Sequence, residues 1–124
     1  MNVLVADDDR LVRYALASTL IAAGHQVREA CNGLAVIAAV GEECPDAIVL
    51  DLMMPECNGF GVLRWLREND PKCHIPVIVL SAFVVEAGGF EGYPHVVEVM
   101  QKPLYLDRLV AALGRCDHQL SAAA

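Results

Sequence analysis

The sequence predicts an α/β protein in which a parallel β-sheet is covered by helices on both faces. Strand-like and helical segments alternate along the 124 residues, as they do in repeated βαβ units. Two of the strand-like runs, 47–50 and 77–80, are continuously apolar and rich in Val and Ile, which is typical of strands buried on both faces. Hydrophobic residues make up 56% of the chain, which suits a sheet enclosed between two helical layers.

Five strands are predicted in all, and they cover residues 2–6, 26–30, 47–50, 77–80 and 96–100. Right-handed crossovers between parallel strands place the connecting helices on both faces of the sheet. At this length the arrangement that fits is a flavodoxin-like (βα)5 doubly wound three-layer sandwich with strand order 2-1-3-4-5. Residues 1–116 account for all of these elements as one domain, and residues 117–124 are expected to form a C-terminal tail.

The helices between the strands are predicted from apolar residues that repeat every three to four positions. These stripes are Val12, Leu16, Thr19 and Ala23; Leu34, Ile37, Ala38 and Gly41; Leu63 and Leu66; and Leu106, Leu109, Val110 and Leu113. Asp9 is predicted to cap the first helix, and Gly24 to follow its end. The segment 83–95, between strands four and five, is rich in Gly and contains a proline, so the fourth helix is expected to be short or irregular.

The composition argues against several classes of function. The formal net charge is -7 and the basic residues are scattered, which argues against direct nucleic acid binding and against an anionic membrane surface. No apolar run is long enough to cross a bilayer and the N-terminus lacks the order of a signal peptide, so we expect a cytoplasmic protein. The 5 cysteines include no C-x-x-C pair, which predicts free thiols rather than disulfides or a zinc site.

Polar residues follow the predicted strands at their carboxyl ends, the edge at which α/β sheets bind ligands. Asp7 and Asp8 follow strand one, Asp51 follows strand three, Ser81 follows strand four and Lys102 follows strand five. Carboxylates crowded at one edge repel each other, so a divalent cation is expected to lie between them. Oxygen ligands with room for several water molecules favour Mg²⁺.

The expected Mg²⁺ ligands are Asp8 and Asp51 directly, the backbone carbonyl of Met53, and Asp7 through a water molecule. Lys102 and Ser81 are expected to bind oxygens of a phosphoryl group carried on Asp51. A carboxylate that attacks phosphorus needs no general base and forms an acyl phosphate. These residue types therefore predict a phosphoacceptor site in which Asp51, Lys102 and Ser81 carry the chemistry.

Four motifs resemble those of a known family. V-L-V-A-D-D-D, I-V-L-D-L-M-M-P-E-C-N-G, V-I-V-L-S-A and Q-K-P occur in the order and spacing of the CheY-like receiver domains of two-component response regulators, over about residues 2–115. The resemblance implies that a sensor histidine kinase or a phosphotransfer protein phosphorylates Asp51. It also implies that Ala82 is the small residue that leaves access to the site. Pro55 and Gly59 match the loop after the phosphoacceptor.

The sequence departs from the family pattern at a few positions. Val99 stands where receivers usually carry Tyr or Phe, and His95-Val96 stands where a Gly-Ala pair is usual. Met53 and Phe83 occupy two positions that the resemblance associates with dephosphorylation. Because both side chains are apolar, neither can orient an attacking water molecule, which predicts a long-lived phosphoryl group.

Three other functions use a similar architecture. A pseudo-receiver would serve as a protein-interaction module without phosphorylation, and it is favoured by Val99 and by the Gly-rich segment 88–92, which disrupts the fourth helix. A phosphatase of the haloacid dehalogenase type needs D-x-D-x-[TV] after strand one, where this chain has Leu11. An FMN carrier needs a hydroxyl- and Gly-rich loop there, in place of three aspartates. A C-terminal output domain in a longer protein and a homodimer also stay open.

Overall fold

The computed structural model describes residues 1–54, 56–71, 74–82, 90, 92–102 and 106–123, with side chains up to residue 116. The strands and helices in chain order are β1 (Asn2–Ala6), α1 (Arg10–Ala22), β2 (Gln26–Ala30), α2 (Gly33–Glu42), β3 (Ala47–Asp51), α3 (Gly59–Asn69), β4 (Val77–Ser81), β5 (Val96–Gln101) and α4 (Leu106–Ala123). All five predicted strands are present, and their ends lie within one residue of the predicted ends.

The five strands form one parallel sheet in the order β2-β1-β3-β4-β5, which confirms the predicted topology. Ala6 of β1 pairs with Leu50 of β3, and Leu80 of β4 pairs with Met100 of β5. The strands therefore end close together at their carboxyl edge, where the polar residues of the sequence motifs follow them.

A hydrophobic core lies on each face of the sheet, so the molecule has the predicted three layers. On one face α2 and α3 cover the strands, and the fully buried side chains there include Val36, Leu63 and Leu66. On the other face α1 and α4 do so, with Leu16 and Leu109 among the buried side chains. The central strands β3 and β4 are buried along their whole length because both faces are covered.

The ends of α1 follow the prediction. Asp9 is the N-cap, and its side chain accepts hydrogen bonds from the N–H groups of Leu11 and Val12. At the other end Gly24 has a φ of 97°, in the left-handed region, and its N–H donates to the carbonyl of Ile21. This is the turn that glycine permits after a helix. Leu20, rather than the predicted Ala23, continues the buried stripe of this helix.

The predicted stripe of α2 is wrong in phase. Its buried residues are Gly33 and Val36, whereas Leu34 is 56% exposed and Ala38 is also exposed. Residues 33–40 are apolar on nearly every side, so their periodicity does not determine which face meets the sheet. The close approach of Gly33 to the loop after β3 decides the orientation instead.

His95 connects the start of β5 to the end of α3 through hydrogen bonds with Asp70. Its side chain is buried, and Nε2 donates to the backbone carbonyl of Asp70 at 2.9 Å and lies 3.1 Å from Asp70 Oδ2. Val77 N–H donates to the His95 carbonyl, which begins the pairing of β4 with β5. His95, which stands where the resemblance leads us to expect the first residue of a Gly-Ala pair, is therefore part of the packing in this chain.

Several predictions concern residues outside the described ones. The short or irregular fourth helix falls mainly on residues 83–89, and Pro55 and Phe83 are likewise outside the description. Helix α4 continues to Ala123, so the backbone of the expected tail is helical past residue 116. A domain boundary at that residue stays a prediction. The described cysteines, which are Cys31, Cys44, Cys57 and Cys116, are free thiols.

Candidate functional site

Three aspartates meet at the carboxyl edge of the sheet. Asp7 follows β1 and Asp51 ends β3, and the neighbouring pair of Ala6 and Leu50 places these two acids side by side. One carboxylate oxygen from each of Asp7, Asp8 and Asp51 lies within 4.8 Å of the other two. Asp7 and Asp51 are buried, at 0% and 3% exposure, while Asp8 is exposed. The result is an acidic pocket with Asp8 at its open side.

Lys102 is 95 residues away from Asp7 in the sequence and pairs with it in the fold. Its Nζ donates to Asp7 Oδ2 at 2.7 Å and lies 3.4 Å from Asp51 Oδ2. The backbone N–H of Lys102 donates to the Ser81 carbonyl at 2.6 Å, which anchors this residue beside the end of β4. One cation thus lies between the two buried carboxylates.

Burial and mutual charge determine how this group titrates. Burial raises the pKa of Asp51 and the charge of Asp7 adds to the rise, while the Met53 N–H and the Lys102 ammonium oppose it. Burial alone would lower the pKa of Lys102, but the hydrogen bond and charge of Asp7, together with the charge of Asp51, raise it above its ordinary value. Lys102 is therefore held as a cation, and the pocket retains an excess of negative charge.

The loop after β3 holds Asp51 from the other side. Met53 N–H donates to Asp51 Oδ1 at 3.2 Å, and Gly59 N–H donates to the Leu52 carbonyl at 2.9 Å. A Cβ added to Gly59 would lie 2.7 Å from Leu52 Cα and 2.9 Å from the Asp51 carbonyl oxygen. Only glycine lets α3 begin this close to the site. The Met53 carbonyl as a metal ligand stays a prediction.

Gly33, the first residue of α2, supports the same loop, although no sequence motif singles it out. A Cβ added there would lie 1.9 Å from the carbonyl oxygen of Cys57. Glu56 and Cys57 have φ values of 49° and 79°, a region that residues other than glycine adopt uncommonly. The loop is thus bent tightly against the start of α2. The position of Gly33 at a helix start is its only signal in the sequence.

Ser81 and Ala82 lie where β4 ends, beside the carboxylates. Asp51 pairs with Leu80 and Ser81 pairs with Gln101, so Ser81 is one position beyond the partner of Asp51. Ser81 is 2% exposed, whereas Ala82 is exposed. The site is therefore flanked by a buried hydroxyl residue and by a small residue at the surface. Their contacts with a phosphoryl group stay predictions.

Arg13, which the sequence motifs do not single out, binds the loop that carries the first two aspartates. Its Nη1 donates to the Asp7 carbonyl at 2.9 Å, and its Nε donates to Glu29 Oε1 at 3.1 Å. Asp9 N–H donates to Asp7 Oδ1 at 2.9 Å, so the N-cap residue of α1 also holds Asp7. The contact of Arg13 depends on β2 lying beside β1, and a local pattern does not reveal it.

The donors of the acidic pocket suit a hard cation. Carboxylate oxygens are the ligands that Mg²⁺ prefers, and an exposed member leaves room for the water molecules that this ion retains. The raised pKa of Asp51 reflects the cost of leaving this group charged in its buried position. Among the described residues, no second group of three His, Cys, Asp or Glu side chains lies close enough together to hold a metal.

Comparison with known proteins assigns this arrangement to a family. The model of the response regulator receiver domain matches residues 3–114, which include all the residues of the acidic pocket. The chain belongs to the response regulator receiver domain family. As a receiver domain, it is a component of two-component signalling systems.

Relatives of this receiver domain match it over nearly their whole length. It is 28% identical over 120 residues to the polar-differentiation response regulator DivK of Brucella anthropi, which covers 91% of this chain and 96% of the relative. The corresponding protein of Brucella suis is 27% identical over the same number of residues, 120. Receiver domains of this kind act with kinases or phosphotransfer proteins.

Solved receiver structures share the fold. The receiver domain of the Francisella response regulator 1452 superposes with a TM-score of 0.86 at 28% identity, covering 96% of this chain and 98% of that one. The chemotaxis protein CheY4 of Vibrio cholerae gives a TM-score of 0.82 at 26% identity, covering 93% and 97%. None of the helices that the receiver structure describes is long and apolar enough to cross a bilayer.

Proposed function

We propose that this receiver domain accepts a phosphoryl group on Asp51 from the phosphohistidine of a sensor histidine kinase or a phosphotransfer protein. The observation that carries the proposal is the placement of Lys102 Nζ 3.4 Å from Asp51 Oδ2, in a pocket where three carboxylates lie within 4.8 Å of one another. An anion attached to Asp51 would meet a cation that is already in place. Lys102 and Ser81 bind its oxygens, and Ala82 leaves the approach open.

Transfer requires no proton from the protein. A carboxylate oxygen of Asp51 forms a bond to phosphorus, and the bond from phosphorus to the histidine nitrogen of the donor breaks. The nitrogen keeps the electron pair, and the product on this chain is an acyl phosphate. Loss of the phosphoryl group to water regenerates the carboxylate. In this role the domain is a signalling phosphoacceptor rather than an enzyme, and it catalyses its own phosphorylation and dephosphorylation.

Asp7, Asp8 and Asp51, with the Met53 carbonyl, are the residues that would hold Mg²⁺. The ion supplies neutralisation of the charge that gathers on the phosphoryl oxygens during transfer. Asp7 keeps Lys102 protonated and in place through its 2.7 Å hydrogen bond. Met53 N–H fixes one oxygen of Asp51, which orients the carboxylate within the pocket.

Mass spectrometry of the intact protein tests the proposal. After incubation with Mg²⁺ and acetyl phosphate, we expect the mass of one added phosphoryl group in the wild type and none in Asp51→Asn. Asp107→Asn is the matched control, because it changes an exposed aspartate on α4 and should be modified like the wild type. An unmodified wild type would support the alternative, a pseudo-receiver that binds partners without phosphorylation. No described contact favours that alternative.

The proposal also includes the compartment and the assembly in which the domain acts. A domain of residues 1–116 in the cytoplasm would reach the phosphohistidine of its donor. A C-terminal output domain in a longer protein fits this role, and so does a homodimer. The NtrX structure from Brucella abortus gives an example of the fold within a longer chain, because the match covers 98% of this chain and only 28% of that one, at a TM-score of 0.84 and 22% identity.

A further inference from the structure

We infer that Arg13 is a positioning residue, which fixes the peptide between Asp7 and Asp8 and thereby the direction from which the Asp8 carboxylate enters the acidic pocket. The inference rests on the proposed function, since it concerns the same Mg²⁺ site. Arg13 does not touch the ion or Asp51 in this role. It acts through the backbone of the loop that joins β1 to α1.

The first step of the argument is the geometry of that peptide. The Asp7 carbonyl, which accepts the bond from Arg13 Nη1 at 2.9 Å, belongs to the peptide group that also contains the Asp8 nitrogen. A peptide group is planar, so holding its carbonyl oxygen orients the whole plane up to the Asp8 Cα. A contact that fixes the carbonyl of Asp7 therefore also fixes the position of the Asp8 Cα.

The second step is that Asp7 is held at its own N–H and side chain, whereas Asp8 is held through the peptides on either side of it. Arg13 fixes the preceding peptide, and Asp9 N–H fixes the following one by donating to Asp7 Oδ1. Asp7 N–H donates to the Ala30 carbonyl at 3.2 Å, and the Asp7 side chain receives hydrogen bonds from Asp9 N–H and Lys102 Nζ. Asp8 is the exposed member of the pocket. Because Asp7 stays in place, rotation of the next peptide is the movement that would carry the Asp8 carboxylate away from the other two.

The third step concerns the preorganisation of Arg13. Its Nε donates to Glu29 Oε1 at 3.1 Å, and its side chain is only 17% exposed. Glu29 lies on β2 next to Ala30, so the guanidinium is held by the strand that also binds Asp7 N–H. The planar guanidinium can make both bonds at once in a fixed relative geometry, which a lysine ammonium cannot reproduce.

The stability of α1 does not account for a cation at this position. Arg13 lies near the N-terminus of α1, where the helix dipole disfavours positive charge. The compensating interactions are those with the Asp7 carbonyl and Glu29. Residues that orient metal ligands without touching the metal commonly change metal affinity by 10–100-fold when they are replaced.

Titration of Mg²⁺ into the full chain by isothermal calorimetry tests the inference, with Arg13→Met as the main variant. We expect its dissociation constant for Mg²⁺ to rise by about tenfold or more. Charge alone predicts the opposite change, a lower dissociation constant, because removal of the Arg13 charge near the pocket should favour binding of Mg²⁺. Arg10→Met is the matched control. It removes an exposed positive charge from the same helix end and should leave Mg²⁺ binding unchanged or slightly tighter.

A second readout is amide hydrogen exchange of Asp9, whose N–H donates to Asp7 Oδ1, in Mg²⁺-free protein. Exchange at this amide should be faster in Arg13→Met, while the amides of β3 keep the wild-type rate. Arg13→Lys retains the charge without the fork and should bind Mg²⁺ with intermediate affinity. If Arg13→Met does not fold, Arg13→Lys decides the question through the same two measurements.

The inference is overturned if Arg13→Met, or Arg13→Lys where Arg13→Met does not fold, binds Mg²⁺ as tightly as the wild type. It is also overturned if the Asp9 amide of that variant exchanges at the wild-type rate. A wild type that binds no Mg²⁺ contradicts the proposed function instead. The two failures are therefore distinguishable in one set of titrations.

Discussion

Phe60 on α3 stacks on Phe90, which precedes β5, with ring centroids 5.9 Å apart and ring planes within 9° of parallel. Phe60 follows the loop that leaves Asp51, and Phe90 lies on the connection that leaves Ser81. Tyr93 packs against Phe60 at the same centroid distance, 5.9 Å. The two segments that leave the phosphoacceptor site therefore meet in one aromatic cluster, formed by Phe60, Phe90 and Tyr93.

Replacement of Phe90 by alanine should lower the free energy of unfolding by about 3–5 kcal/mol, since this side chain is 6% exposed and its removal leaves a cavity. Phe60→Ala is the comparison. Phe60 is 36% exposed, so the loss of its side chain should cost clearly less. Urea unfolding followed by circular dichroism measures both values, and equal losses would contradict the assignment of Phe90 to the core.

Gly33→Ala should destabilise the protein, because the new Cβ would lie 1.9 Å from the Cys57 carbonyl oxygen and backbone would have to move. Forced movements of this kind typically cost about 1–3 kcal/mol. Gly41→Ala, on the same helix, meets no atom within 4 Å and should stabilise α2 by about 0.5–1 kcal/mol. Opposite signs for the two variants in thermal unfolding are expected, and a stabilising Gly33→Ala would show that the loop does not press on α2.

The stability of the Mg²⁺-free protein should depend on pH through Asp51. Burial raises its pKa above the ordinary value of 3.8, so the folded protein holds this proton more tightly than the unfolded chain does. The resulting stabilisation is complete below pH 3.8 and is lost as the pH rises through the folded-state pKa. At pH 7, Asp51→Asn should therefore be more stable than the wild type.

Urea titrations in EDTA across a pH series measure this difference. The advantage of Asp51→Asn should shrink as the pH falls toward 3.8, the ordinary pKa of the carboxyl group. Asp107→Asn serves as the control. It changes an exposed carboxyl in the first turn of α4, where the helix dipole contributes less than about 1 kcal/mol, so its stability should stay within that amount of the wild type throughout. An advantage that grows on acidification would have the wrong sign for a carboxyl with a raised pKa.

The acyl phosphate on Asp51 should decay slowly, because the apolar Met53 side chain cannot hold a water molecule for attack on phosphorus. Met53→Asn places an amide at this position and should speed the decay several-fold. Leu34→Asn is matched in exposure, at 56% against 58% for Met53, and should not change the rate. Loss of the added mass with time, after removal of acetyl phosphate, gives the rates. Rapid decay in the wild type would refute the expectation.

Most of the strands could be predicted because β1, β3 and β4 are short apolar runs between polar turns. The strand order could be predicted because a chain of this length with alternating strands and helices fits a doubly wound sheet. The continuous apolar runs of β3 and β4 reflect burial on both faces, which is a property of the sequence itself. Once the order is known, the carboxyl ends of parallel strands must share one edge. That rule alone places Asp7, Asp51 and Lys102 at the same edge of the sheet.

The orientation of α2 and the role of Arg13 could not be predicted in this way. Helix α2 is apolar on nearly every side, so several faces satisfy the hydrophobic pattern equally well. Arg13 makes its contacts with a backbone carbonyl and with Glu29, which lies on another strand. Neither contact produces a recurring spacing of residue types in the sequence, so no local pattern predicts it.

By itself the sequence determined the class of fold and the five residues that stand at the strand ends, because apolar strands that alternate with helices are a local pattern. The strand order followed from the doubly wound arrangement that fits this pattern. Only the tertiary structure decided that Asp8 is the exposed acid, that Lys102 bonds to Asp7 at 2.7 Å, and that Gly33 must lack a side chain. These features depend on distances between segments far apart in the chain. Such distances are set by packing, to which every element contributes at once.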